Sequence, residues 1–476
     1  MLILLQITVT KVMTNIKVVE DEFVLPYKPH DYQYDTVERA AEHQCVLLTD
    51  KIGLGKSVMS LYLGLYHAVA DDVEQIMILV PPALLDQTAE LYNSVKGIDS
   101  ILIYRGTPTE RKKLDIENSP VFLMSYNIFR SDFNRIQRIA DRRKLFILAD
   151  ELSLKTIGAT YKKIKLLLYR KLRLSGTESA RHYLCGCNAT PLSDREQIYN
   201  WCSIFNPGLY PSHRLFELAH VAKLDYWGKV EEWREIELMD ENFNSFCVES
   251  RNVDIELPET VFTEIPYQLS KKHKDLYTDI AEAEFKLLPD NLQETAVEAY
   301  FSTLQKVVLV PNKFGLNIRP PILDIIDTYL DQLSDDDSII LYTRHVDVSE
   351  MLSEYYKKIC VSYFGTVSKK AKTEGLLRFK QGDAQMMVAN LDSLGKGQNL
   401  QVANHTIYVE YPFRSDIATQ AGGRTARQGQ KKTCFFQFPL AKGTIHEHIY
   451  KRLLDNDVDL LKFNRNKQSL REVLKG

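Results

Sequence analysis

Asp50-Lys-Ile-Gly-Leu-Gly-Lys-Ser57 is the stretch that decides how the rest of the chain is read. It follows directly on the apolar run Cys45–Leu48 and leads into a helix-compatible stretch from Val58 to Ala68, so a glycine-rich loop joins a buried strand to a helix N-terminus. In that context backbone N–H groups and the positive end of the helix dipole hold phosphate. Gly53 and Gly55 let the N–H groups converge, Lys56 brings a mobile point charge to the β- and γ-phosphates, and the Ser57 hydroxyl completes the coordination of Mg²⁺. Asp50 stands where the general pattern has glycine, and the plainer alternative is a glycine-rich turn with a surface lysine.

Downstream, Leu145-Phe-Ile-Leu-Ala-Asp150-Glu151 ends an apolar strand in two acids. Phosphoryl transfer depends on positioning and charge stabilisation, so Asp150 suits holding Mg²⁺ through its water shell and Glu151 suits orienting the attacking water. A strand-end cap with an acidic first helical turn is the alternative. Cys187-Asn-Ala-Thr-Pro191 offers Thr190 as a sensor of the γ-phosphate, or else a strand-to-helix turn broken by Pro191. Far along the chain, Gln420-Ala-Gly-Gly-Arg424-Thr-Ala-Arg427-Gln-Gly-Gln430 sets two arginines three apart, on one face of an expected helix. Two guanidinium forks aimed one way suit a triphosphate, which makes Arg424 and Arg427 expected arginine fingers; a basic helix face paired with surface acids is the other reading. The order of the four elements favours a single site for ATP and Mg²⁺.

With 476 residues the chain is long for one core, so two α/β lobes are expected. Alternating apolar runs and helical stretches place lobe 1 at 27–206, after an N-terminal extension over 1–26, and lobe 2 at 320–450. Residues 207–319 lose that alternation and read as a helical connector, and 451–476 as a charged helical brace or tail. A hydrophobic share of 45% and a charged share of 26% exclude a largely disordered chain. The net charge of −3 confines any phosphate-backbone binding to a local groove. Seven scattered cysteines form neither a disulfide framework nor a zinc pattern. The apolar start lacks the preceding positive charge of a signal peptide and is too short to span a bilayer, so a soluble, cytoplasmic protein is expected.

These residues together resemble the Swi/Snf-type ATPases of helicase superfamily 2. Asp50–Ser57 is similar to that family's Asp-Glu-Met-Gly-Leu-Gly-Lys-Thr, and Gln420–Gln430 to its Gln-Ala-x-x-Arg-x-x-Arg-x-Gly-Gln; the likeness extends from about Tyr27 to Tyr450. It implies an α/β fold of two tandem RecA-like lobes with parallel sheets, joined by the helical connector. Tyr32-Gln33 matches the adenine-recognising glutamine, Leu79-Val-Pro-Pro82 motif Ia and Ser125-Tyr126 motif Ib, while Gly395, Gly397, Asn399 and Leu400 match motif V. Gln420 joins the expected nucleotide contacts. The resemblance implies double-stranded DNA as partner, held without sequence specificity through its phosphates by Pro81, Ser125, Thr343, Arg344 and Asn399, with strong salt dependence. Unwinding of single strands or RNA, and a non-catalytic scaffold, are the alternatives. Lys51, Ser57 and Ser153 depart from the family, which has an acid, threonine and histidine there.

Overall fold

The computed structural model describes residues 16–454 apart from 52, 99–100, 155–156, 170–179, 193, 225–229, 252, 254–257, 290–293, 335, 392–393, 395–397, 414–420 and 428. The chain divides into two compact units, 1–254 and 255–476.

In the first unit the strands are β1 (Cys45–Leu48), β2 (Gln75–Val80), β3 (Ile101–Ile103), β4 (Val121–Ser125), β5 (Leu145–Asp150) and β6 (Tyr183–Cys187), followed by β7 (Val221–Leu224), β8 (Val230–Trp233) and β9 (Cys247–Val248). Among the described residues seven of them form one sheet in the order β3-β4-β2-β5-β6-β1-β9, every pair parallel; β7 and β8 pair antiparallel on their own. The strands are apolar along both faces because both are covered, as crossover helices require. Ile76, Ile78, Val80, Leu123, Phe146 and Leu148 pack into one core with Met59, Leu61 and Leu63 of the helix Lys56–Ala70. The intervening Met77, Leu79, Phe122, Met124 and Ile147 face a second core with Trp201 and Ile204 of the helix Ile198–Phe205. A fully buried side chain of this size contributes about 1.5–3 kcal/mol.

The second unit carries β10 (Thr260–Tyr267), β11 (Ile339–Thr343), β12 (Cys360–Tyr363), β13 (Met386–Asn390), β14 (His405–Tyr408) and β15 (Cys434–Ala441). They form a sheet in the order β10-β15-β14-β11-β13-β12, again wholly parallel. Its core joins the strands to Phe301, Leu304 and Val308 of the helix Glu294–Leu309 and to Ile445 and Ile449 of the helix Ile445–Leu454.

The apolar runs expected as strands, at 45–48, 75–80, 100–104, 121–124, 145–148, 183–186, 338–342, 361–364, 385–389, 405–409 and 433–438, each overlap one of β1 to β6 and β11 to β15. The expected connector over 207–319 is divided between the units, and it contains β7 to β10 besides the helices Lys271–Leu287 and Glu294–Leu309. β10 carries Glu264 and Pro266, residues that suit an edge strand, and it lies at the sheet margin with Phe262 65% exposed. Of the expected extension over 1–26, residues 1–15 lie outside the described residues and the short helices Ile16–Val18 and Val19–Glu22 follow; of the expected tail over 451–476, the part beyond Leu454 lies outside them. No helix among the described residues is long and apolar enough to cross a membrane.

Candidate active site

The phosphate loop leaves β1 at its carboxyl end and feeds the helix Lys56–Ala70. Gly53 and Gly55 have φ of +96° and +82°, which side chains with a Cβ rarely adopt. A Cβ on Gly55 would also lie 2.4 Å from Gln33 Nε2, so this glycine is required by close approach as well as by conformation. Gln33 is buried in the helix Asp31–Ala41, with its Oε1 accepting from His30 N at 3.0 Å and its Nε2 donating to Leu54 O at 3.2 Å. Tyr32 Oη donates to the same carbonyl at 2.9 Å. The Lys56 ammonium donates to the carbonyl oxygens of Asp50 and Lys51. Burial pushes its pKa down, and the charges of Asp50, Glu151 and Asp150 act in the opposite sense, so the loop lysine lies within the field of all three acids. Ser57 is exposed at the start of the helix.

The acids arrive by strand register. Asp150 pairs with Cys187, and Cys187 with Leu48, so the tips of β5, β6 and β1 lie level and Asp150 is two strands, roughly 10 Å, from the start of the loop. After Asp150 the chain turns sharply: Glu151 has φ of +51°, a left-handed conformation uncommon for a residue with a Cβ. Hydrogen bonds from several elements hold it there. Tyr126 Oη donates to Asp150 O at 2.7 Å, Glu151 N to Asp150 Oδ1 at 3.0 Å and Leu152 N to Cys187 O at 3.1 Å. Asn188 Nδ2 donates to Leu152 O at 2.6 Å and Asn200 Nδ2 to Leu154 O at 2.8 Å. Asn188 Oδ1 in turn accepts from Thr190 N at 2.8 Å, which fixes the turn carrying Thr190. Ser57 and Asp150 offer hard oxygen donors of the kind Mg²⁺ prefers, and a metal held there would draw the rest of its shell from phosphate and water.

In the second unit, Ala421 and Gly422 are helical, but Gly423–Thr425 form a turn and Arg427 lies in a bend, which corrects the expected arginine helix. Two successive glycines weaken a helix, and the Thr425 amide and hydroxyl both turn back to Gly422 O, at 3.2 and 3.0 Å. Arg424 is buried and Arg427 half-buried; burial, then the charge of Arg424, lowers the pKa of Arg427. Neither has an acidic partner among the described residues, so two cations lie close together without local neutralisation, an arrangement suited to an anion of high charge.

Residues 32–312 match the SNF2-related domain, and residues 322–429 match the helicase conserved C-terminal domain. The chain belongs to the SNF2-related family. It is an enzyme of the Snf2 type within helicase superfamily 2, a nucleic-acid-dependent ATPase on two RecA-like lobes. It is similar to an uncharacterised ATP-dependent helicase of Bacillus subtilis, 22% identical over 465 residues that cover 90% of this chain and 78% of the relative. An uncharacterised ATP-dependent helicase of Mycoplasma pneumoniae is 22% identical over 424 residues, 85% of this chain but 38% of that longer protein. In fold it is similar to the Hef helicase domain of Pyrococcus furiosus, with a TM-score of 0.51 at 15% identity over 89% of this chain and 98% of that one.

Against this Snf2 framework the expected DNA contacts fall unevenly. Ser125 is buried, with its hydroxyl capping the helix Tyr126–Ser131 through Ile128 N. Thr343 is buried against Ser349 Oγ at 2.7 Å. Arg344 is stacked over the Phe413 ring at 3.9 Å and paired with Glu298 at 3.0 Å. Asn399 is bonded to Gln401, and Pro81 is half-buried after β2. Gly395, Gly397 and Gln420 lie outside the described residues. Tyr126, Asn188 and Asn200, which hold the acid turn, were not singled out for that role; the polar Asn188 and Asn200 beside apolar runs are the signal that could have found them.

Proposed function

We propose that the protein hydrolyses ATP at the loop Asp50–Ser57 and uses the cycle to move along double-stranded DNA through sequence-independent phosphate contacts. The observation that carries this reading is the level row of β1, β6 and β5, with the Lys56 ammonium in the field of Asp50, Glu151 and Asp150. In this scheme Gln33 reads the adenine, the Gly53 and Gly55 backbone and Lys56 bind phosphate, and Ser57 and Asp150 hold Mg²⁺. The metal supplies neutralisation of phosphate charge when bound. Glu151 orients the attacking water, Thr190 senses the γ-phosphate, Gln420 contacts nucleotide, and Arg424 and Arg427 stabilise the charge that develops during transfer.

Pro81, Ser125, Thr343, Arg344 and Asn399 remain the proposed DNA contacts; for Ser125 and Thr343, buried as they are, contact is through backbone groups. The test is steady-state ATP hydrolysis without nucleic acid and with duplex DNA, single-stranded DNA or RNA, with Glu151→Gln as control. Stimulation by duplex DNA that vanishes in Glu151→Gln supports translocation on duplexes. Preference for single strands or RNA moves the reading to an unwinding helicase, and no hydrolysis under any condition overturns it.

A further inference from the structure

Ser250 lies in the stretch by which the chain leaves the first unit. Upstream of it, β9 is zipped in parallel to β1, with Leu47 N donating to Phe246 O at 2.9 Å and Thr49 N to Val248 O at 3.1 Å. The zip ends where the phosphate loop begins. There the Ser250 amide donates to Asp50 Oδ1 at 2.9 Å, a bond spanning two hundred positions of sequence. The Thr36 hydroxyl lies 2.7 Å from Tyr32 O and 3.0 Å from Ser250 Oγ and shares its one proton between these two acceptors, while the Ser250 hydroxyl donates to Met59 Sδ at 3.8 Å. Arg39 Nη2 holds Glu249 O at 2.8 Å. The exit stretch is thus fastened both to the phosphate loop and to the helix that carries Gln33.

Asp50 is fully buried, and its Oδ2 has no hydrogen-bond partner among the described residues. A buried carboxylate oxygen without a donor costs stability, so a group kept in that state calls for a reason. Its position supplies one. The Asp50 carbonyl accepts from the Lys56 ammonium, while its carboxylate accepts from Ser250, so one residue touches the phosphate-binding lysine at one end and the exit stretch at the other.

We propose that Asp50 is a positioning residue that transmits nucleotide occupancy from Lys56 to Ser250. Phosphate in the loop competes with the Asp50 carbonyl for the Lys56 ammonium; the loop start shifts, and the Asp50–Ser250 bond carries that shift into the chain leading to the second unit. This deepens the proposed ATPase cycle and rests on it, since it requires nucleotide at that loop.

The test is amide hydrogen exchange at residues 246–251 with and without saturating Mg·ADP, with binding measured separately by equilibrium dialysis. In the wild type the exchange rate of the Ser250 amide is expected to change about tenfold on binding, the scale of one hydrogen bond to a charged group. Asp50→Leu removes the acceptor and is expected to cut the response below about twofold at saturating nucleotide, while Asp50→Asn, which keeps an acceptor of the same shape, restores it. Ser250→Pro removes the donor from the other side, so the response at Glu249 and Arg251 is expected to disappear even where Asp50→Leu fails to fold. Bound nucleotide with no response in the wild type, or an undiminished response in Asp50→Leu or Ser250→Pro, overturns the inference and leaves the ATPase reading intact. Failure of the wild type to bind Mg·ADP overturns both.

Discussion

Asn188 Nδ2 donates to Leu152 O at 2.6 Å, and this bond spans the turn whose apex is Glu151. The left-handed φ of Glu151 stores strain of order 1–3 kcal/mol, which persists only because neighbouring contacts over-determine it. Asn188 belongs to the stretch that carries Thr190, so the proposed water-positioning acid and the proposed γ-phosphate sensor are mechanically one piece.

Asn188→Ala is therefore expected to act on the chemical step. The freed turn relaxes, Glu151 loses its aim, and kcat falls about tenfold to a hundredfold, as when a supporting partner of a reacting group is removed. KM for ATP is expected to change less than about threefold, because Lys56 and Gln33 stay in place, a split read through transition-state rather than ground-state binding. Steady-state kinetics at saturating nucleic acid measures both; equal losses in kcat and in nucleotide affinity would show that the bond supports the whole site.

Gly55→Ala meets two obstacles, a φ of +82° and the Gln33 amide 2.4 Å from the new Cβ. Gln33 is tied at both ends of its amide, so it cannot yield without losing His30 N or Leu54 O. Nucleotide affinity is expected to fall at least about tenfold, and Gln33→Ala combined with Gly55→Ala to lose less than the sum of the single losses, since the clash and the contact share one atom. Titration of a fluorescent ADP into the four proteins of this cycle gives the coupling directly; strict additivity would place the damage in the backbone alone.

Much of this site was legible from sequence, and the boundary of legibility has a physical cause. The phosphate loop and Asp150-Glu151 were readable because each is a local pattern: an apolar strand that ends in glycines, or in acids, fixes its own geometry within a few residues. Asp50–Ser250 and Asn188–Leu152 were not, because they join residues 200 and 36 positions apart and depend on strand order, which the apolar runs leave open. The arginine stretch misled for a local reason, since spacing by three suggested a helix while Gly422-Gly423 opposed one. β10 was hidden because its edge position leaves it without the apolar continuity of the central strands.

Acid is expected to destabilise both units through two buried imidazoles. Burial pushes His182 and His446 down to about 4, the latter against the opposing influence of Glu410. Each is depressed below the unfolded value near 6.5, so the stability it permits is complete above pH 6.5 and is lost as pH falls toward about 4. His446 has neither ring nitrogen hydrogen-bonded among the described residues and packs edge-on to Tyr411, so His446→Phe is expected to flatten the decline for the second unit. Per group the slope reaches at most about 1.4 kcal/mol per pH unit. Chemical denaturation between pH 7 and 4, with and without the substitution, checks this; an unchanged slope in His446→Phe would assign the acid lability elsewhere.

For the proposed DNA contact, exposed cations of the first unit are chemically better suited to phosphate than the buried Ser125 hydroxyl. The Lys163 ammonium donates to Arg130 O and stands 5.1 Å over the Phe133 ring, while Arg130 is exposed and bonded to Asn127. Lys162 is exposed beside them, and none of the three cations has an ion-pair partner given by an acid among the described residues. They lie just beyond β4 in the helix Tyr126–Ser131 and in the helix Ala159–Leu168, on the side of the sheet where the acid turn emerges. Each phosphate neutralised releases counterions, so Arg130→Ala and Lys163→Ala are each expected to reduce the slope of log K against log salt by about 0.9 on duplex DNA. The loss of affinity is expected to be the same for unrelated sequences, because a phosphate contact carries no base information. Ser125→Ala, by contrast, is expected to lower stability by about 1 kcal/mol through the lost cap and to leave the salt slope unchanged. Binding isotherms at several salt concentrations on two duplexes separate these outcomes, and an unchanged slope in both cation variants would move the DNA path off this surface.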